Sequence, residues 1–169
     1  MRILGIDPGL RATGYAVVEG TPQEGLGLLA HGVIRTEEDD PLEFRLREIY
    51  AAVGLLVKQI CPQSVAVEDL YAALRFPRTA ILMGHVRGVV CLVAAQQGVE
   101  VESLPPAAVK QAITGFGAAS KVQVQFAVQR LLRRPDRLDA HESDAAAMAL
   151  TALSRRGVPL LAGVRVAVP

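Results

Sequence analysis

The sequence predicts an α/β protein built on a mixed β-sheet. Three short apolar segments near the N-terminus are separated by turn residues, which is typical of antiparallel strands. Two later apolar segments are separated by a long helical pattern, which indicates a parallel crossover, and three further helices follow. We therefore expect three antiparallel strands, then two parallel strands, with helices flanking the sheet.

The first half of the chain contains three predicted strands and one helix. The strands are predicted over residues 2–7, 14–19 and 27–36. The first two flank a turn-rich segment and are expected to form a hairpin. After Pro41, apolar residues recur at every third or fourth position as far as Ile60, which predicts an amphipathic helix.

The second half contains two predicted strands and four helices. The strands are expected over residues 64–69 and 99–104, and the helices over residues 79–97, after Pro106, and over residues 120–133 and 140–155. Gly98 follows the first of these helices and suits its C-terminus, because glycine readily adopts the left-handed backbone conformation found there.

The composition is that of an ordinary globular domain. Of 169 residues, 51% are hydrophobic and 21% are charged. We predict a single domain over residues 1–157 and a C-terminal tail of unknown order over residues 158–169. Because charged and polar residues interrupt the apolar segment 79–95 and the N-terminal apolar run is short, we expect neither a membrane span nor a signal peptide.

The two cysteines, Cys61 and Cys91, lie far apart in apolar surroundings without metal-type spacing. We expect both to be reduced core residues, as in a cytoplasmic protein.

Charge is unevenly distributed although the net charge is only +1. Between Pro105 and Arg137 there are six basic residues and one acidic residue. This pattern is compatible with nucleic-acid binding on one face, and equally with a basic helix face exposed to water.

Two strands are predicted to end in acidic residues. Asp7 ends the first strand and Glu68 ends the fourth, at the edge where α/β sheets place their ligand sites. If these strands are neighbours, the two carboxylates repel one another unless a cation lies between them. Taken singly, each is more typical of a turn or a strand end.

The segment "DAHESDAAAMAL" (139–150) adds two more polar residues at a helix start. Asp139 and Glu142 fit a capping box, but His141 and Asp144 share the face that continues into the core. Together with Asp7 and Glu68, they would form a cluster suited to a pair of Mg²⁺ or Mn²⁺ ions, as two-metal phosphodiester chemistry requires.

Four segments together resemble the RuvC family of bacterial Holliday-junction resolvases. They are "GIDPGLRATGYAVVE", "VAVEDLY", "PPAAVKQAITGFGAASKVQV" and "HESDAAAMAL", in the order and at the spacing of that family. The resemblance covers roughly residues 1–155. It implies an RNase H-like nuclease domain, a homodimer, and metal-dependent resolution of four-way DNA junctions in recombination and repair, by paired symmetric cuts that leave 5′-phosphate and 3′-hydroxyl ends.

The family's four acidic catalytic positions fall on Asp7, Glu68, His141 and Asp144. Most members have Asp where this chain has His141. Imidazole is a poorer ligand for Mg²⁺ than for Mn²⁺ and is also a possible general base, so the metal preference stays open.

The resemblance also implies a set of DNA-contacting residues. Lys121 follows Ser120, which is predicted to cap a helix, and this anion-binding helix start favours a phosphate contact. An aromatic residue after Glu68 is often the wedge at the junction centre. The predicted DNA-binding residues are Lys110, Lys121, Ser120, Tyr71, Arg75 and Arg78, with Phe76 as the alternative wedge.

Partners and rival functions follow from the same reasoning. Two symmetric cuts by one active site per chain imply a two-fold dimer, for which the apolar helix 79–97 is the candidate interface. The resemblance adds the RuvA and RuvB branch-migration complex as partners. The alternatives are a related nuclease acting on RNA, a catalytically weak junction-binding module, and an actin-like ATPase, which needs a second phosphate hairpin that we do not find.

Overall fold

The computed structural model describes residues 1–23, 25–69, 77–134 and 138–160. Within these ranges the elements are β1 (Arg2–Asp7), β2 (Ala12–Thr21), β3 (Gly25–Arg35), α1 (Leu42–Ile60), β4 (Ser64–Glu68), α2 (Pro77–Gln96), β5 (Glu100–Leu104), α3 (Pro106–Thr114), α4 (Lys121–Leu131) and α5 (Ala140–Arg155). Each corresponds to a predicted element, and the differences are confined to element ends.

The five strands form one mixed sheet in the order β3-β2-β1-β4-β5. Strands β1, β2 and β3 pair antiparallel, whereas β4 pairs parallel to both β1 and β5. The helices α1 and α2 provide the crossovers that parallel pairing requires. The predicted fold class is therefore confirmed.

Helices cover both faces of the sheet. One core packs α3, α4 and α5 against one face, and the other packs α1 and α2 against the opposite face. Alternation along β1 sends Ile3 into the first core, and Leu4 and Ile6 into the second. Every second residue of β1, including Gly5 and Asp7, therefore faces α5.

Two glycines allow α5 to lie directly on the sheet. A Cβ atom added to Gly5 would lie 1.9 Å from the backbone oxygen of Ala145, and one added to Gly14 would lie 2.2 Å from the backbone oxygen of His141. The buried face of α5 is itself rich in alanine, which keeps the helix close to the strands. The first turns of α5 are thereby held over the end of β1.

The expectation for the cysteines is partly wrong. Both are free thiols, as predicted, but Cys61 is exposed and Cys91 is only partly buried. Cys61 is the C-cap of α1, with a left-handed backbone (φ 49°), and its thiol donates to the backbone oxygen of Lys58 at the exposed helix end.

The limits of the domain stay a prediction. Val158 is buried in the core beside α5, and Leu160 packs against the same core. Residues 161–169, most of the predicted tail, lie outside the described residues.

Replacing Gly5 with alanine tests the close packing of α5. We expect Gly5→Ala to lower the free energy of unfolding by about 2 kcal/mol or more, because the new methyl group meets backbone and not a flexible side chain. Chemical denaturation measures the change. Gly27→Ala in β3 is the matched control, since no atom lies within 4 Å of its added Cβ. An equal loss in both variants would contradict the argument.

Candidate active site

Two carboxylates meet at the edge of the sheet. The parallel register of β1 and β4 pairs Gly5 with Ala66 and Ile6 with Val67, so Asp7 and Glu68 are the next pair along. Alternation directs both side chains toward α5. The strands β1 and β4 are therefore neighbours, and Asp7 and Glu68 lie side by side as expected for that case.

The start of α5 supplies the partners of Asp7. Asp139 caps the helix by accepting the N–H of His141 at 2.9 Å, and the Glu142 side chain completes the predicted capping box. Nδ1 of His141 lies 2.7 Å from Oδ2 of Asp7. An ionised carboxylate only accepts hydrogen bonds, so Nδ1 is the donor when Asp7 is ionised.

Lys121 reaches the same cluster from α4. Ser120 and Gln123 form the predicted capping box, which places Lys121 at the first helical position. Its Nζ lies 2.5 Å from Oδ2 of Asp144. A lysine is unfavourable beside a helix N-terminus. Here, ion pairing with Asp144 compensates for this position.

These side chains line one cleft of about 840 Å³. The predicted site residues along its wall are Asp7, Glu68, His141, Asp144, Lys110 and Lys121. Ser120 and Arg78 lie outside this lining: Ser120 Oγ accepts the N–H of Gln123, and Arg78 is exposed near the start of α2. Tyr71, Arg75 and Phe76 lie outside the described residues.

The concentration of carboxylates raises two pKa values. Burial, and then the charges of Asp7 and Asp144, raise the pKa of Glu68 to about 7. Burial also raises the pKa of Asp7, although the hydrogen bond from His141 opposes this shift. Negative charge at this edge of the sheet is therefore costly until a cation compensates it.

Lys121 remains a cation in this environment. Burial is the largest single influence and lowers its pKa, but the hydrogen bond to Asp144 and the charges of Asp144, Asp7 and Glu68 together raise it above the usual value. The lysine thus provides positive charge among the three carboxylates.

The donor set fits a divalent metal. Carboxylate oxygens with one imidazole nitrogen suit Mg²⁺ or Mn²⁺, and the raised pKa of Glu68 reflects the same need for positive charge. In the described part of the chain, no three Asp, Glu, His or Cys side chains are grouped so that they could hold a metal ion as they stand. Lys121 is bonded to Asp144 and His141 to Asp7, so the ligands would have to exchange these partners.

One contact beside the site was missed by sequence reasoning. His31 Nδ1 lies 2.9 Å from Oε1 of Glu142, which we assigned only to helix capping. The only signal in the sequence is a histidine in a strand, and its position beneath α5 depends on the pairing of β3 with β2.

The chain resembles known proteins over nearly its whole length. Residues 3–152 match the family model "Crossover junction endodeoxyribonuclease RuvC". The protein of that name from Rhodopirellula baltica is 48% identical over 132 residues, 77% of this chain and 72% of the relative. The one from Mannheimia succiniciproducens is 42% identical over 149 residues, 88% of this chain and 73% of the relative.

Solved structures of the same family have the same fold as this chain. Thermus thermophilus RuvC superposes with a TM-score of 0.85 at 32% identity, over 94% of this chain and 98% of that chain. Its complex with a Holliday junction substrate gives a TM-score of 0.86 at 33% identity, over 93% of this chain and 96% of that chain. The predicted RNase H-like architecture is confirmed.

Replacing Glu68 with glutamine tests whether its burial beside Asp7 and Asp144 destabilises the protein when no metal is bound. With a pKa of about 7 when folded and 4.5 ordinarily, Glu68 keeps a proton in the folded chain that the unfolded chain releases, so stability falls as pH rises through this window. In the presence of a chelator, the free energy of unfolding of the parent should fall between pH 5 and pH 8. The free energy of Glu68→Gln should fall about 1–3 kcal/mol less over the same range. Unfolding at both pH values measures this. Glu48→Gln, at an exposed position of α1, should show no such difference. An equal difference at both pH values would contradict the electrostatic argument.

Proposed function

Because this chain belongs to the RuvC family of crossover junction endodeoxyribonucleases, it is a nuclease that resolves four-way DNA junctions with divalent metal ions, and we propose that Asp7, Glu68, His141 and Asp144 form its catalytic centre. The observation that carries this assignment is the meeting of three carboxylates, an imidazole and two lysines in one cleft at the sheet edge.

The four residues would act as metal ligands with different positions. Divalent ions supply the positive charge that activates water and stabilises the departing 3′-oxygen in phosphodiester hydrolysis. Asp7 lies next to Glu68 and is bonded to His141, so it would be the central member of the ligand set. Glu68, Asp144 and His141 would supply the remaining ligand atoms.

His141 tunes the choice between Mg²⁺ and Mn²⁺. Its Nδ1 is bonded to Asp7 in this structure, and a ring nitrogen would become a metal ligand once this bond is exchanged. Nitrogen suits Mn²⁺ better than Mg²⁺. We therefore infer that either ion is used and that this chain favours Mn²⁺ more than a relative with Asp at this position.

The lysines bind the DNA backbone. Lys121 stands at the N-terminus of α4, where unpaired backbone N–H groups and the helix dipole attract phosphate. Lys110 approaches the same cleft from α3. If Asp144 held a divalent ion, Lys121 would be available to contact the phosphate that is cut. Ser120 and Arg78, with Tyr71 and Arg75 beyond the described residues, are the further DNA contacts that we propose.

The dimer is proposed to form through α2. Val86, Val90 and Val93 of this helix are buried in the core, while Ile81 and Leu92 are 60% and 52% exposed. By length and hydropathy alone α2 also qualifies as a membrane span, but its buried stripe packs on the sheet. An apolar exposed face on a two-fold enzyme is suited to a second copy of the same helix.

The cellular setting is proposed on the same basis. Junction resolution in bacteria takes place in the cytoplasm, and we place this chain there as a partner of the RuvA and RuvB branch-migration proteins.

A cleavage assay tests the proposed function. Purified protein is incubated with a labelled four-way DNA junction, with linear duplex and an RNA–DNA hybrid as controls, while Mg²⁺ and Mn²⁺ are titrated separately. We expect paired symmetric nicks in the junction alone. Cutting of the hybrid instead would favour the nuclease acting on RNA, and tight binding without cutting under either metal would favour the binding module.

Glu68→Gln separates chemistry from binding. The substitution removes a ligand charge and keeps the shape, so we expect cleavage to fall by at least about 100-fold. Junction affinity measured in Ca²⁺ should stay within about twofold. Glu48→Gln serves as the matched control. Loss of junction binding by Glu68→Gln would instead show that this carboxylate has a structural role.

Lys121→Ala tests the phosphate contact. Removing its charge from the cleft should slow cleavage on the order of 10–100-fold in single-turnover kinetics. Lys58→Ala changes an exposed lysine in the last turn of α1 that does not line the cleft; it is the control and should keep the parent rate. An unchanged rate for Lys121→Ala would remove this lysine from the active site.

A further inference from the structure

His31 lies on the opposite side of the helix start from the carboxylate cluster. It belongs to β3 and pairs with Ala16 of β2, a residue in the core beneath α5, so its side chain faces α5. Its Nδ1 lies 2.9 Å from Oε1 of Glu142. The side chain of Glu142 is only 15% exposed, so water competes weakly for this bond.

Glu142 uses both of its oxygens in this arrangement. Oε1 accepts from His31, and Oε2 accepts the backbone N–H of Asp139, the N-cap residue, at 2.7 Å. The carboxylate therefore links β3 directly to the cap of α5. Within the same turn, Glu142 lies one residue after His141 and two before Asp144.

The first turn of α5 is held from two sides. Toward β1, His141 is bonded to Asp7, and toward β3, Glu142 is bonded to His31. Between these two contacts, the backbone of His141 packs directly on Gly14. Gly14 has no side chain that could restrain the helix from shifting along the sheet. The bond between His31 and Glu142 is thus a lateral restraint independent of the catalytic cluster.

We propose that His31 is a positioning residue for cleavage, acting through Glu142 to hold His141 and Asp144 over the end of β1. This inference rests on the proposed catalytic role of those two residues. A misplacement of about 1 Å at a reacting centre reduces rates as much as 100-fold, so a restraint on this turn affects the chemical step more than DNA binding.

Two substitutions at one position provide the test. His31→Ala removes the donor, whereas His31→Asn keeps an amide N–H near the position of Nδ1. Leu29→Ala, at an exposed residue of the same strand, is the matched control. We expect His31→Ala to lower the single-turnover cleavage rate about tenfold while junction affinity in Ca²⁺ stays within about twofold. His31→Asn should recover most of the rate, and Leu29→Ala should match the parent.

Hydrogen exchange provides a readout that does not depend on cleavage. In His31→Ala, the amides of residues 141–144 should exchange faster than in the parent, and His31→Asn should restore their protection. If the parent itself cuts no junction, the proposed function fails, and the exchange rates alone then decide whether His31 holds this turn.

A double substitution decides whether His31 works through Glu142. If it does, His31→Ala combined with Glu142→Gln slows cleavage less than the product of the two single effects. A double variant slowed by the full product of the two single effects would overturn the proposal. So would an unchanged cleavage rate with unchanged exchange in His31→Ala, or a loss of junction affinity with unchanged exchange, since the latter indicates direct DNA contact.

Discussion

The direct contact between α5 and the sheet is the constraint on which the rest of this structure depends. With no side chain at Gly5 or Gly14, the helix backbone approaches the strands closely enough for His141 to reach Asp7. A methyl group at Gly5 would overlap the Ala145 oxygen and push the helix outward. The distance between the sheet carboxylates and the side chains of His141 and Asp144 is therefore determined by two glycines that supply no functional group of their own.

The same approach concentrates negative charge in a partly buried space. Burial and the charges of Asp7 and Asp144 raise the pKa of Glu68, because a further negative charge is unfavourable there without a cation. Lys121 reduces the repulsion between the carboxylates by pairing with Asp144, and divalent ions would reduce it further. Stability and function thus oppose one another at this site, as is common where a protein keeps groups in place for a ligand.

Much of the site was predictable because the chemistry required residue types that local structure does not explain. Asp7 and Glu68 end apolar strands, and His141 and Asp144 exceed what the cap at Asp139 requires. The exposure of Cys61 was not predictable. The left-handed backbone conformation that ends α1 at this residue is usually indicated by a glycine, and the sequence has none there. The link between His31 and Glu142 joins residues 111 positions apart, which no local pattern records.

The sequence by itself determined the order and type of the elements, both capping boxes and the four candidate ligands, because periodicity, capping and strand ends are local properties. Only the tertiary structure decided which side chains meet. The bond from His141 to Asp7, the ion pair of Lys121 with Asp144 and the link from β3 to α5 depend on strand register and helix packing. These arise when distant segments bury apolar surface together, and no single segment contains that information.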